Sequence, residues 1–181
     1  MKEFSIILAG FGGQGILSAG KIVATAALLE GREVSWYPSY GPEMRGGTAN
    51  CSVVISDEEI GSPVINETDV LIALNGPSLD KFASQVKPGG LIIVDSSLVL
   101  GKPSNKAARF FPIPASALAE GMGNMTFAAV ILLGCLAQNT GCMTRESFEK
   151  ALADALPVRH HHLIPAEMKA FDQGATYAEA T

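Results

Sequence analysis

Apolar residues fall along this chain in two rhythms. Phe4-Ser5-Ile6-Ile7-Leu8-Ala9 is a nearly unbroken apolar run and predicts a buried parallel strand. From Gln14 to Glu30 the spacing lengthens, placing Ile16, Leu17, Ile22, Val23, Ala26, Ala27 and Leu29 mostly on one side of a helix that Gly31 ends as a C′ glycine. Glu33 to Tyr37 predicts a second strand and completes a βαβ unit. From Ala49 the pattern alternates, with Ala49, Cys51, Val53 and Ile55 facing one way, Asn50, Ser52 and Ser56 the other, and Val54 as the exception. That predicts a half-buried antiparallel strand at a sheet edge, turning at Asp57-Glu58. Asp69 to Leu74 and Leu91 to Val94 read as further buried strands, with Lys87-Pro88-Gly89-Gly90 as a turn and Arg109 to Ile113 as a last short strand. Helices are predicted from Pro77 to about Val86 and over Ala115–Glu120, Met125–Asn139, Thr144–Leu156 and Pro165–Gln173.

Strands alternating with helices place residues 1–181 in the α/β class. The expected architecture is one three-layer domain, a mostly parallel sheet with helices on both faces and an antiparallel edge hairpin. No repeat or linker divides it. A hydrophobic content of 48% against 17% charged residues suits a packed core and argues against disorder. The formal net charge of −5, without a Lys/Arg cluster, leaves no electrostatic footprint for nucleic acid. Phe127 to Ala137, the most apolar stretch, is shorter than the roughly 20 residues that span a bilayer. The expected location is cytoplasmic, with no membrane association. Met1 to Ala9 has the makings of a short signal peptide, but the glycine loop and helix that follow make it a first strand. Three cysteines, Cys51, Cys135 and Cys142, include no CxxC pair and build neither a disulfide framework nor a four-cysteine cluster.

Candidate chemistry gathers in two glycine-centred loops. Gly10-Phe11-Gly12-Gly13-Gln14-Gly15 has G-x-G-x-x-G spacing with a strand before and a helix after, a context in which helix N–H groups attract a phosphate or carboxylate. A dinucleotide reading also needs an acidic residue near the end of the second strand, and Val34-Ser35-Trp36-Tyr37 supplies none. A tight helix–sheet packing turn, or another anion site, is the competing reading. The second loop, Tyr40-Gly41-Pro42-Glu43-Met44-Arg45-Gly46-Gly47, lies in a Pro38–Thr48 connection that is long beside the usual four to six or so residues. Arg45 presents a planar fork to an anion or to a partner's loop, and an ion pair with Glu43 is the blander alternative. Asn75 and Asp95-Ser96-Ser97, at the ends of the next two strands, would join both loops on one rim, with helix capping as the preferred reading.

Elsewhere the residues point to structure. His160-His161-His162 is a solvated segment, since adjacent helical positions share no face. The Phe127–Ala137 helix is either the centre of the core or a subunit interface, including one between two copies of the chain, and Ala128, Ala129 and Gly134 permit close helix approach. There is no nucleophile elbow, P-loop lysine, H-E-x-x-H or Gly-Asp-Gly. The chain therefore offers no self-sufficient catalyst, and neither catalytic nor metal-binding residues are assigned.

Gly10 to Gly15 with its alanine-rich helix, Tyr40 to Gly47, and Asp69-Val70-Leu71-Ile72-Ala73-Leu74-Asn75 together resemble the gamma subunit of 2-oxoacid:ferredoxin oxidoreductases, over nearly the whole chain. Arg45-Gly46-Gly47 and the polar strand after it look more like the 2-oxoglutarate or branched-chain ketoacid type than the pyruvate type. The resemblance implies a non-autonomous subunit of an enzyme that decarboxylates a 2-oxoacid, forms an acyl-CoA and passes electrons to ferredoxin. It implies that thiamin diphosphate, its Mg and the iron–sulfur clusters are held by partner subunits, with no cofactor bound by this chain alone. Residues Gly12, Gly13, Gln14, Gly15, Tyr40, Gly41, Pro42, Glu43, Arg45, Gly46, Gly47 and Asn75 would face the acyl-CoA-forming site or the subunit interface. The alternative is a free-standing Rossmann-like nucleotide-binding protein using the first loop alone. Phe11, at an x position, is expected to point away from the turn.

Overall fold

A computed structural model describes residues 3–39 and 48–179. In chain order it contains β1 (Glu3–Phe11), α1 (Ile16–Leu29), β2 (Glu33–Ser39), β3 (Thr48–Ser56), β4 (Thr68–Ala73) and α2 (Gly76–Phe82). A single 3₁₀ turn (Ala83–Gln85) leads into β5 (Val86–Asp95), β6 (Arg109–Ile113), α3 (Ala115–Gly121), α4 (Phe127–Thr140) and α5 (Arg145–Ala155). A second 3₁₀ segment (Val158–Leu163) leads into α6 (Ile164–Glu179).

The six strands run in the order β2-β3-β1-β4-β5-β6. β1, β4, β5 and β6 pair in parallel, while β3 is antiparallel to both its neighbours. This is the expected mostly parallel sheet with an antiparallel hairpin, β2–β3, at one edge. The layers follow from strand alternation. Ile6, Leu8, Val70, Ile72, Leu91 and Ile93 point to a thick side packed by α1, α3, α4, α5 and α6. Ile7, Ala9, Leu71, Ala73, Ile92 and Val94 point to a thinner side built from Leu79 and Phe82 of α2 with Ala83, Val86 and Val99.

Four expectations need correction. β3 is the inner strand of the edge hairpin, inserted between β1 and β2, so β1-α1-β2 is not a pair of adjacent strands. Its alternating pattern suits either place, because Ser52 can stay half-buried at the β2–β3 end of the thin side. Lys87 to Gly90 is a bulge inside β5. Thr68 pairs with Val86 and Val70 with Leu91, so two residues of advance on β4 meet five on β5. Gly89 accommodates this at φ +77° and donates its N–H to Ala107 O at 2.8 Å. Leu29 is exposed at 48%, since the end of α1 overhangs the core. α6 runs on to Glu179 because Gly174 is a packing position, its missing Cβ admitting the Ile131 carbonyl of α4. Of the two readings of the apolar helix, the structure takes core: α4 is buried from Phe127 through Leu136, with Gly134 against the Phe171 backbone of α6.

Candidate functional site

β1 ends in a turn that only glycine makes without strain. Gly13 (φ +92°) and Gly15 (φ +77°) are left-handed, and a Cβ on Gly10 would lie 2.7 Å from Gln14 Oε1. Gln14 fills the space so preserved. Its Oε1 accepts from Phe11 N–H at 2.6 Å, and its Nε2 donates to Leu74 O, at the end of β4, at 3.4 Å. α1 leaves β1 for the thick side and α2 leaves β4 for the thin side, so this is the switch point where open α/β sheets bind ligands. Gln14 clasps the two strand ends across that crevice.

The next strand ends are tied into the scaffold. Asn75 Oδ1 accepts from Ser78 N–H at 2.8 Å and caps α2. Asp95, fully buried, accepts from Ser97 N–H (3.0 Å), Ser116 N–H (3.2 Å) and the Ser116 hydroxyl (2.5 Å). Ser97 Oγ accepts from Ala117 N–H at 3.1 Å. Asp95 and Ser97 together satisfy N–H groups in the first turn of α3, as the capping reading anticipates.

Between these ends lies a cavity of about 210 Å³, lined by Gly13, Gln14 and Gly15 from the first loop and by Leu74, Leu98, Ser116, Met125, Thr126 and Ala128. No lining residue is charged. A second hollow, of about 280 Å³, opens on the other side of the loop against Phe11, Gly12, Ala49 and the first turn of α1. Large apolar side chains stand exposed about this edge: Phe11 at 42%, Leu98 at 46% and Met125 at 55%, with Leu100, two residues beyond Leu98, at 95%. Phe11 stands exposed beside Gly12 and Gly13 in the lining of the second hollow, as part of this apolar crown.

Gly12, Gly13, Gln14 and Gly15 thus sit on one rim, with Asn75 directly after the Leu74 carbonyl that Gln14 holds. Tyr40, Gly41, Pro42, Glu43, Arg45, Gly46 and Gly47 fall outside the described residues. The flanking Ser39 and Thr48 lie level with Ala9 and Phe11 of β1, at the same edge of the sheet. Leu98, Ser116, Met125 and Thr126 went unanticipated. The available signal was Leu98-Val99-Leu100, an apolar run outside any predicted element.

Among the described residues no three His, Cys, Asp or Glu are grouped to hold a metal ion. Burial pushes the Cys51 and Cys135 thiols up to about 12 and Cys142 to about 11, which keeps them protonated and inert at neutral pH. The ring of His161 bonds Leu156 O and that of His162 bonds Arg159 O, a local turn rather than a ligand set. No described helix is long and apolar enough to cross a membrane.

Residues 5–177 match the family model described as pyruvate ferredoxin/flavodoxin oxidoreductase. The chain belongs to that family. It is 42% identical over 177 residues to the ketoisovalerate oxidoreductase subunit VorA of Methanothermobacter thermautotrophicus, covering 97% of this chain and 36% of that protein. The chain thus spans about a third of the length of the first curated relatives it matches. Its fold matches the gamma subunit of a keto/oxoacid ferredoxin oxidoreductase from Geobacter sulfurreducens with a TM-score of 0.84 at 33% identity, over 98% of this chain and 99% of that one. It also matches a 2-oxoglutarate:ferredoxin oxidoreductase from Magnetococcus marinus, solved with 2-oxoglutarate, coenzyme A and succinyl-CoA bound. There the TM-score is 0.89 at 27% identity, covering 100% of this chain and 32% of that one. The resemblance drawn from the glycine loops therefore holds at the level of family and of gamma-subunit fold.

Proposed function

We propose that this chain serves as the gamma component of a cytoplasmic 2-oxoacid:ferredoxin oxidoreductase, active only with its partner chains and acting on 2-oxoglutarate or a branched-chain ketoacid. The observation that carries this reading is the rim at the carboxyl edge of the sheet, where a glycine loop, a cavity with no charged lining residue and exposed Phe11, Leu98, Leu100 and Met125 stand, among the described residues, without a nucleophile–base pair. Such a surface suits docking against other chains and exclusion of water from a shared site. Similarity to the Magnetococcus marinus enzyme, which binds coenzyme A, supports a rim that frames acyl-CoA formation. In this reading Gly12 to Gly15, Asn75 and the Tyr40–Gly47 loop face the interface, and Arg45 recognises an anionic group of substrate, coenzyme A or a partner. Three buried cysteines do not fit a four-thiolate cluster. Iron–sulfur clusters, and thiamin diphosphate with its Mg, would accordingly be held by the partner chains, which pass electrons to ferredoxin.

The test is reconstitution with co-expressed partner chains. Leu100→Asp should weaken assembly roughly tenfold or more, and Arg45→Ala should lower acyl-CoA formation, both without shifting the melting of the isolated chain. Assembly of Leu100→Asp at wild-type affinity would remove the docking role of the rim. Unimpaired acyl-CoA formation by the Arg45→Ala complex would remove the role given to that guanidinium.

A further inference from the structure

A third concavity, of about 370 Å³, runs from the rim down the helical side between α1, α4, α5 and the start of α6. Its wall is apolar, with Ile22, Leu133 and Leu152 each no more than 6% exposed. Two ionisable groups, Glu167 and His160, break it. Glu167 of α6 is 8% exposed, lines the groove, and has neither a hydrogen bond nor an ion pair among the described residues. Burial raises its pKa, with no opposing contact. The carboxylate oxygens are not among the buried polar atoms without a partner, so they open into the groove, where a cationic head can reach them. Among the described residues no cation is engaged with it. Arg159 spends its Nε on His160 Nε2, and His160 is the only other titratable residue on the groove wall.

The groove is continuous with the rim, for Gly15 and Thr126 line both this concavity and the rim cavity. We propose that it receives a Lys or Arg side chain of a partner subunit, the methylene stem lying on the apolar wall and the cationic head meeting the Glu167 carboxylate. Long basic side chains have this division into apolar stem and charged tip, and a desolvated charge pair confers specificity at an interface. The net charge of −5 favours a cationic partner surface in the same sense. This inference rests on the subunit reading above and adds to it an anchor away from the glycine loop.

Two variants test it in the reconstituted complex. Glu167→Gln removes the charge at constant shape. Ala155→Trp fills the mouth of the groove from an exposed position without touching the carboxyl. Both isolated chains should melt no lower than wild type, and both complexes should dissociate about tenfold more readily or worse. A photo-crosslinker placed at Ala155 should capture a partner-subunit peptide containing Lys or Arg. Wild-type assembly by both variants, while Leu100→Asp fails to assemble, overturns the groove and leaves the rim reading standing. Wild-type assembly by all three overturns both. Marked destabilisation of Glu167→Gln would make the carboxyl a folding element, and capture of a second copy of this chain would give the groove to self-association. Either result overturns the proposal.

Discussion

Glu30 closes α1 and accepts from Thr144 N–H and Ser147 Oγ, each at 2.6 Å, while pairing with Arg32 at 2.8 Å. One carboxylate thereby ties the end of α1 to the start of α5. Burial pushes its pKa up, but the hydrogen bonds from Ser147 and Thr144 and the Arg32 charge outweigh that and hold it below the ordinary 4.5. A folded value below the unfolded one means the stabilisation is complete above about pH 4.5 and is lost as pH falls through the folded value. Glu30→Gln should cost about 1–3 kcal/mol near neutrality and flatten the acid limb of stability. Urea melts of both proteins between pH 3 and 7 check this, and parallel acid limbs would remove Glu30 from the account. The sequence could not announce this tie, whose partners lie 114 and 117 residues away. The Asn75 cap, by contrast, spans three residues and was legible as a local pattern.

Between elements, α4 and α6 meet backbone to backbone, where Gly134 faces the Phe171 backbone and Gly174 that of Ile131. Alanine in an exposed helix interior would stabilise by roughly 0.5–1 kcal/mol over glycine. Here backbone stands where the methyl would go, and Gly134→Ala should instead cost about 1–3 kcal/mol or more. Gly121, at the end of α3, has open space around its missing Cβ. Gly121→Ala should be neutral or slightly stabilising. Thermal melts of the pair decide it, and equal effects would deny the helix contact. Most elements were legible because burial of one face imposes its own period. Where a glycine served packing instead of a stop, as at Gly174, the pattern ended an element too soon, and where it served a bulge instead of a turn, as at Gly89, the pattern began one too late.

At the scale of the molecule, strand order separates this fold from a dinucleotide-binding one. β3 displaces β2 from β1 by an extra strand spacing of about 4.8 Å, and Gln14 bridges the crevice beside β4. Neither NAD nor FAD should give saturable thermal stabilisation of the isolated chain, and a shift by either would revive the nucleotide reading. The order itself was not legible, since the alternation of β3 is the same one place in from the edge as at it. The rim was legible where glycine marks a turn, as in Gly12 to Gly15. It was hidden where Leu98, Ser116 and Met125 converge from distant segments. The same strand order governs the birth of the chain. β1 is made before both of its neighbours, β3 and β4, which are complete only at Ser56 and Ala73. At about 5–20 residues per second of synthesis, Ile6 to Ala9 wait on the order of 3–12 s for both partners. A strand enclosed in the finished sheet is therefore left without its neighbours for seconds during synthesis, open to aggregation and to chaperones on the ribosome.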